Sequence, residues 1–100
     1  MINNFEGHVQ GDKPVVVDFF AEWCAPCKLM APILEEIKSR VGERATILKM
    51  DVDKNPAFAK MYGIQSIPTL IIFKKGKILW QKKGVTSAKE ILMHLNMHLT

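Results

Sequence analysis

Cys24 and Cys27 are the only cysteines in the chain, and they stand three residues apart in Trp23-Cys24-Ala25-Pro26-Cys27-Lys28. Two thiols at that separation either close a small ring or supply half of a metal site. In the first turn of a helix, residues i and i+3 share a face and lie near enough for a disulfide. A ring over so few residues orders little of the unfolded chain, so it is a poor staple. Its use is chemical, in opening and closing. The two sulfurs are expected to differ. Cys24 precedes the helix, where free amides and the helix dipole favour a thiolate, and is expected to be the exposed nucleophile. Cys27 lies one turn in, shielded, and is the candidate resolving thiol. Pro26 fixes φ between them and stiffens the ring.

Zinc is the rival chemistry, and it needs two more ligands from His8, His94 and His98. His94 and His98 have chelating i, i+4 spacing. On the stripe of Ile91, Leu95 and Leu99, however, His98 is a flank position and His94 points further outward. The separation from Cys27 also fits no finger pattern. Two surface histidines are the plainer reading, and no metal is expected. A structural disulfide without turnover is the remaining alternative.

Two charges interrupt apolar runs: Asp18 in Val15-Val16-Val17-Asp18-Phe19-Phe20, and Lys49 in Ala45-Thr46-Ile47-Leu48-Lys49-Met50-Asp51-Val52. A buried lone carboxylate is costly and answers with a raised pKa. On neighbouring strands the two would share one side of the sheet, under the helix that carries the cysteines. Asp18, directly or through a water, would then take the proton from Cys27 as that thiol attacks. The plain alternative is that each charge reaches a strand end and water.

The positioning elements follow from periodicity. Residues 15–20 read as a strand buried on both faces. Met30, Ile33, Leu34, Ile37 and Val41 recur at helical spacing from Ala25 to Val41, with Pro32 kinking the pattern and Gly42 ending it. The second strand follows through a right-handed crossover, which places it parallel to the first. Asp53-Lys54-Asn55-Pro56 opens a short helix with Phe58, Ala59 and Tyr62 inward, closed by Gly63. Ser66-Ile67-Pro68-Thr69 is a bend before a hairpin, Leu70 to Phe73 and Lys77 to Lys82, turning at Lys74-Lys75-Gly76. Gly84 breaks the last strand, Ser87 caps a terminal helix, and Asn3 or Asn4 caps a short helical stretch carrying Phe5 and Val9 inward. The order is strand-helix-strand-helix-strand-strand-helix, an α/β layered fold with parallel and antiparallel halves.

One hundred residues, 48% hydrophobic and 24% charged, make one globular domain over residues 1–100. The apolar runs are too short to cross a bilayer and no charged-then-apolar leader follows Met1, so a cytoplasmic location and no membrane partner are expected. The net charge of +4 is dispersed, except for Lys74, Lys75 and Lys77 and for Lys82 and Lys83, where lysines guard a sheet edge. No aromatic platform is interleaved with that charge, which argues against nucleic acid. A lone close pair of cysteines is not a secreted disulfide framework.

Asp18, Trp23-Cys24-Ala25-Pro26-Cys27-Lys28, Pro32, Ile67-Pro68-Thr69 and Gly84 together resemble the thioredoxin family, from about Lys13 to the C-terminus. The resemblance implies a thioredoxin fold, with Cys24 attacking, Cys27 resolving, Asp18 as the buried acid, Lys49 as its neighbour, and Pro68 as a cis-proline beside the disulfide. It implies a docking patch of Trp23, Ala25, Pro26, Ile64, Ile67, Pro68, Gly84 and Val85, with the Ile67 backbone offered to an extended substrate. It implies a monomeric protein-disulfide reductase with no bound cofactor, recharged by a thioredoxin reductase. Two other functions remain open: a redox-gated binding module on the same fold, and an oxidant or isomerase of exported proteins. Ala25 replaces the usual Gly, Phe20 replaces the usual Trp, and the short N-terminus predicts four strands rather than five, the family's first edge strand being absent or vestigial.

Overall fold

β1 (Val15–Phe20) runs through the middle of the protein because five of its six residues are fully buried, with helices on both sides of it. The computed structural model describes residues 5–99. The elements are α1 (Phe5–Gln10), β1, α2 (Ala25–Lys28), α3 (Met30–Val41), β2 (Thr46–Asp51), α4 (Pro56–Met61), β3 (Thr69–Lys74), β4 (Lys77–Lys83) and α5 (Ala88–Asn96). A 3-10 turn, Gly42–Arg44, separates α3 from β2. The expected capping residues Asn3 and Asn4 lie outside the described residues.

Among the described residues the sheet has four strands, the expected number, in the order β2-β1-β3-β4. β2 lies parallel to β1 through the α2–α3 crossover, with Asp18 opposite Lys49. β3 runs antiparallel to β1 and forms a hairpin with β4. Lys75 and Gly76 adopt φ values of 53° and 78°, which suits a two-residue turn between twisted strands.

Period-two alternation divides the core in two. Val16, Leu70 and Ile72 face α3 and α5, where Met30, Leu34, Ile37, Ile91 and Leu95 cover them. Val15, Val17, Phe19, Ile71 and Phe73 face the other way, towards Phe5 and Val9 of α1, Phe58 of α4 and Tyr62 at the end of α4. Phe5 sits among aromatic rings, 4.9 Å from Phe58 and 6.0 Å from Phe73 between centroids. The C-terminal end of α1 is stitched to the hairpin turn, with Gly76 N–H donating to Val9 O at 2.6 Å and Lys75 N–H to Gly11 O at 3.0 Å.

The kink expected from Pro32 is a break. α2 ends at Lys28 and α3 begins at Met30, with Leu29 between them at φ −70°, ψ −18°. Proline has no N–H to offer the Lys28 carbonyl four residues back. Because α3 restarts at Met30, Pro32 falls in its first turn, where amides lack an intrahelical partner anyway. At the far end of the chain, Ser87 caps α5 by accepting the Glu90 N–H at 3.1 Å.

Candidate active site

The cysteines lie just beyond the C-terminal end of β1. Cys24 N–H donates to Ala21 O at 3.2 Å, a turn that carries the chain from strand to helix. Cys24 is the N-cap of α2, and its Sγ accepts the Cys27 N–H at 3.2 Å. The two residues form a disulfide with their Cα atoms 5.3 Å apart. The expected contrast of an exposed Cys24 and a shielded Cys27 is absent: both are buried, at 4% and 6% exposure, because Ala21, Phe20, Val52 and Ile67 pack around them. In the reduced state the same Cys27 amide, aimed at Cys24 Sγ, would favour the thiolate of Cys24 over that of Cys27.

The Ile67–Pro68 peptide is cis, and the Ile67 carbonyl oxygen lies 3.9 Å from Cys24 Sγ. Pro68 is buried and Ile67 half-buried. The Gly84 N–H donates to Pro68 O at 2.7 Å, tying the end of β4 to this loop, and Gly84 adopts φ 87°. Trp23, Ala25, Pro26 and Val85 are exposed. Ile64 is half-buried and packs on the α1–α4 side of the core, joined to the cysteine cluster through Val52, which touches both. Of the expected patch, the structure thus places Ile67 directly against Cys24, Pro68 next to it in the loop, Gly84 hydrogen-bonded to Pro68, and Ile64 behind Val52.

Asp18 is almost wholly enclosed on the α3 side of the sheet, and its Oδ1 has no hydrogen-bond partner among the described residues. Burial pushes its carboxyl up to about 6 from the ordinary 3.8, and the charge of Lys49 pulls against that rise. Lys49 is itself exposed, so the plain expectation that it reaches water holds for it and not for Asp18. Its Nζ stands 4.8 Å from the centre of the Phe20 ring. A cavity of about 280 Å³ opens there, lined by Phe20, Ala21, Glu22, Cys27, Lys28, Ala31 and Lys49, and gives solvent a route to the Cys27 side of the disulfide.

Three contributors were not anticipated from the sequence. Val52 packs against the cysteines. Asp53 accepts the Trp23 indole N–H at 2.7 Å, and Asp51 folds the turn that carries Asp53. The available signal was Asp51-Val52-Asp53-Lys54-Asn55, rich in the residues that fold turns on their own side chains, which reads only as a helix start. The histidines stand apart from the site: His94 stacks on Trp80 with ring centres 4.6 Å apart. Among the described residues no group of three or more His, Cys, Asp or Glu is arranged to hold a metal ion.

Comparison with known proteins agrees with this geometry. The thioredoxin family model matches residues 2–97. A thioredoxin of Alicyclobacillus acidocaldarius subsp. acidocaldarius is 47% identical over 88 residues, covering 88% of this chain and 84% of its own. A thioredoxin-like protein of Synechocystis sp. is 44% identical over 95 residues, covering 94% and 90%. A thioredoxin of Rickettsia typhi is 41% identical over 102 residues, covering 96% and 97%. A cysteine pair bridged at a helix start, in a four-stranded mixed sheet between helices, is the site of a thiol-disulfide oxidoreductase, and the chain belongs to the thioredoxin family.

Proposed function

We propose that the protein reduces disulfides in protein substrates, acting as one domain and as a monomer. The observation that carries this reading is the Cys24–Cys27 disulfide at the start of α2, with the Ile67 carbonyl alongside Cys24. In the reduced protein the Cys24 thiolate attacks one sulfur of a substrate disulfide. A Cys24–substrate bond forms, and the other substrate sulfur leaves as a thiolate and takes a proton from water. Cys27 then gives its proton to Asp18, directly or through a water in the adjoining cavity, and attacks Cys24 Sγ. The Cys24–Cys27 bond forms and the second substrate thiolate departs. Two electrons have passed to the substrate, and a thioredoxin reductase is the proposed source of the pair that restores the dithiol.

Asp18 suits the proton step because burial keeps it a base of about the right strength. Lys49 holds that strength down. Trp23, Ala25, Pro26, Ile67 and Val85 form the proposed docking surface, with Ile64, Pro68 and Gly84 shaping the loop behind it. The Ile67 backbone is the candidate partner for an extended substrate segment. A cytoplasmic setting would keep the pair reduced. It accords with described helices of which none is long and apolar enough to cross a membrane.

Insulin-disulfide reduction, followed by turbidity with dithiothreitol as electron donor, tests the reading. The expected result is catalysis by the native protein and none by Cys24→Ser. Catalysis that survives Cys24→Ser would overturn it. A glutathione titration of the pair, read by Trp23 fluorescence, separates a reductase from an oxidant or isomerase, since potentials across such proteins differ by well over about 100 mV.

A further inference from the structure

Trp23 is nearly three-quarters exposed, yet its indole is tethered, because Nε1–H donates to Asp53 Oδ2 at 2.7 Å. Asp53 lies in the turn between β2 and α4, and that turn is built on one buried carboxylate. Asp51 Oδ1 accepts the backbone N–H of Asp53 at 2.9 Å and of Lys54 at 3.3 Å. The Asp51 carbonyl accepts the Asn55 N–H and the Asn55 side-chain amide, each at 3.0 Å. Asp51 is 9% exposed, and its carboxylate bonds to the turn and not to either sulfur. A second tie, Lys54 Nζ to Glu22 Oε2 at 3.7 Å, joins the same turn to the residue before Trp23. Both of its partners are well exposed, so it contributes little.

We propose that Asp51 is a positioning residue: its carboxylate folds the β2–α4 turn so that Asp53 holds the Trp23 indole in one orientation over the cysteine face. The inference rests on the proposed function, in which Trp23 belongs to the surface that meets a protein substrate. An untethered indole samples several rotamers, and docking must then order it. A tethered one meets the substrate already ordered, which lowers KM and leaves the sulfur chemistry and kcat alone. The exposed Trp23–Asp53 bond is the readout end of the device. The buried Asp51 is its anchor, since a carboxylate accepting two backbone amides fixes the turn from below.

Asp51→Ala, Asp51→Asn and Asp53→Ala, each in a Trp80→Phe background so that Trp23 alone emits, test the proposal. Asn keeps the Oδ1 acceptor and Ala removes it. The expected result is that Asp51→Ala raises the collisional quenching of Trp23 by acrylamide and raises KM for insulin about fivefold at nearly constant kcat. Asp51→Asn should recover both. Asp51→Ala/Asp53→Ala should be no worse than Asp53→Ala alone, because the anchor acts only through the turn it holds. Equal behaviour of Asp51→Ala and Asp51→Asn, additive losses in the double variant, or unchanged Trp23 quenching in Asp51→Ala would each overturn it. If Asp51→Ala does not fold, Asp53→Ala with quenching and KM unchanged overturns it in the same way. Failure of the parent reading looks different: the native protein would leave insulin intact while the quenching difference between Asp51→Ala and Asp51→Asn persisted.

Discussion

Asp18 is the residue at which chemistry and stability pull hardest against each other. Its folded carboxyl titrates at about 6 against an ordinary 3.8, because the enclosed site favours the neutral form. The folded state therefore holds this proton more tightly than the unfolded chain does. The stability associated with the proton is complete below pH 3.8 and is lost as pH rises through about 6. Ionised Asp18 costs on the order of 3 kcal/mol by pH 8, so Asp18→Asn should raise the urea midpoint at pH 8 and leave it unchanged near pH 3.5. The same substitution removes the proton acceptor. Single-turnover release of substrate from Cys24 should slow in Asp18→Asn and lose the inflection near pH 6. The native rate should fall as pH drops through about 6, where Asp18 already carries a proton. Stopped-flow measurements from pH 5 to 9 check both, and identical rates for the two proteins across that range would remove Asp18 from the mechanism.

At the scale of elements, α1 and the hairpin turn deliver the clearest forecasts. α1 is six residues long, too short to persist alone, so it depends on burying Phe5 and Val9. Phe5→Ala should cost about 3–5 kcal/mol in urea unfolding, the range for deleting an enclosed aromatic ring. Gly76 answers to a different cause. At φ 78° a Cβ is strained, and it would stand 2.7 Å from Gln10 Oε1. Gly76→Ala should cost about 1–2 kcal/mol from the backbone alone. Gln10 can swing aside, so adding Gln10→Ala should recover little of that loss. Recovery of most of it would show that crowding, rather than φ, sets the penalty.

For the whole molecule, β1 and β3 are flanked on both edges and covered on both faces, whereas β2 and β4 each have one open edge among the described residues. Amide exchange followed by mass spectrometry should be slowest in Val16 to Phe19 and Leu70 to Phe73, and fastest in β4, whose lysines keep its outer edge wet. Most of this architecture was legible beforehand because burial imprints a period. The uninterrupted Val15 to Phe20 run declared a two-sided strand, and the helical spacing from Met30 to Val41 declared a one-sided helix. The crossover made β1 and β2 parallel neighbours and so let Asp18 and Lys49 share a side of the sheet, whereas their direct pairing is a matter of register that no crossover fixes. What stayed hidden has a common cause. Asp53 meets Trp23 from thirty residues away in sequence, Asp51 holds the turn that carries it and Val52 packs on the cysteines, and no local pattern encodes which turn will meet which loop. The break at Leu29 was half visible: Pro32 announced lost helical bonding, but only the restarted turn shows where the loss falls.

The stitch between α1 and the Lys75-Gly76 turn sits at the Val15 end of the sheet, while the sulfurs sit at the Phe20 end. Six residues of strand separate them, about 20 Å of stiff spacer. A bead, dye or electrode coupled near Lys75 would therefore carry the molecule by its heel, with the working sulfurs turned towards the solution.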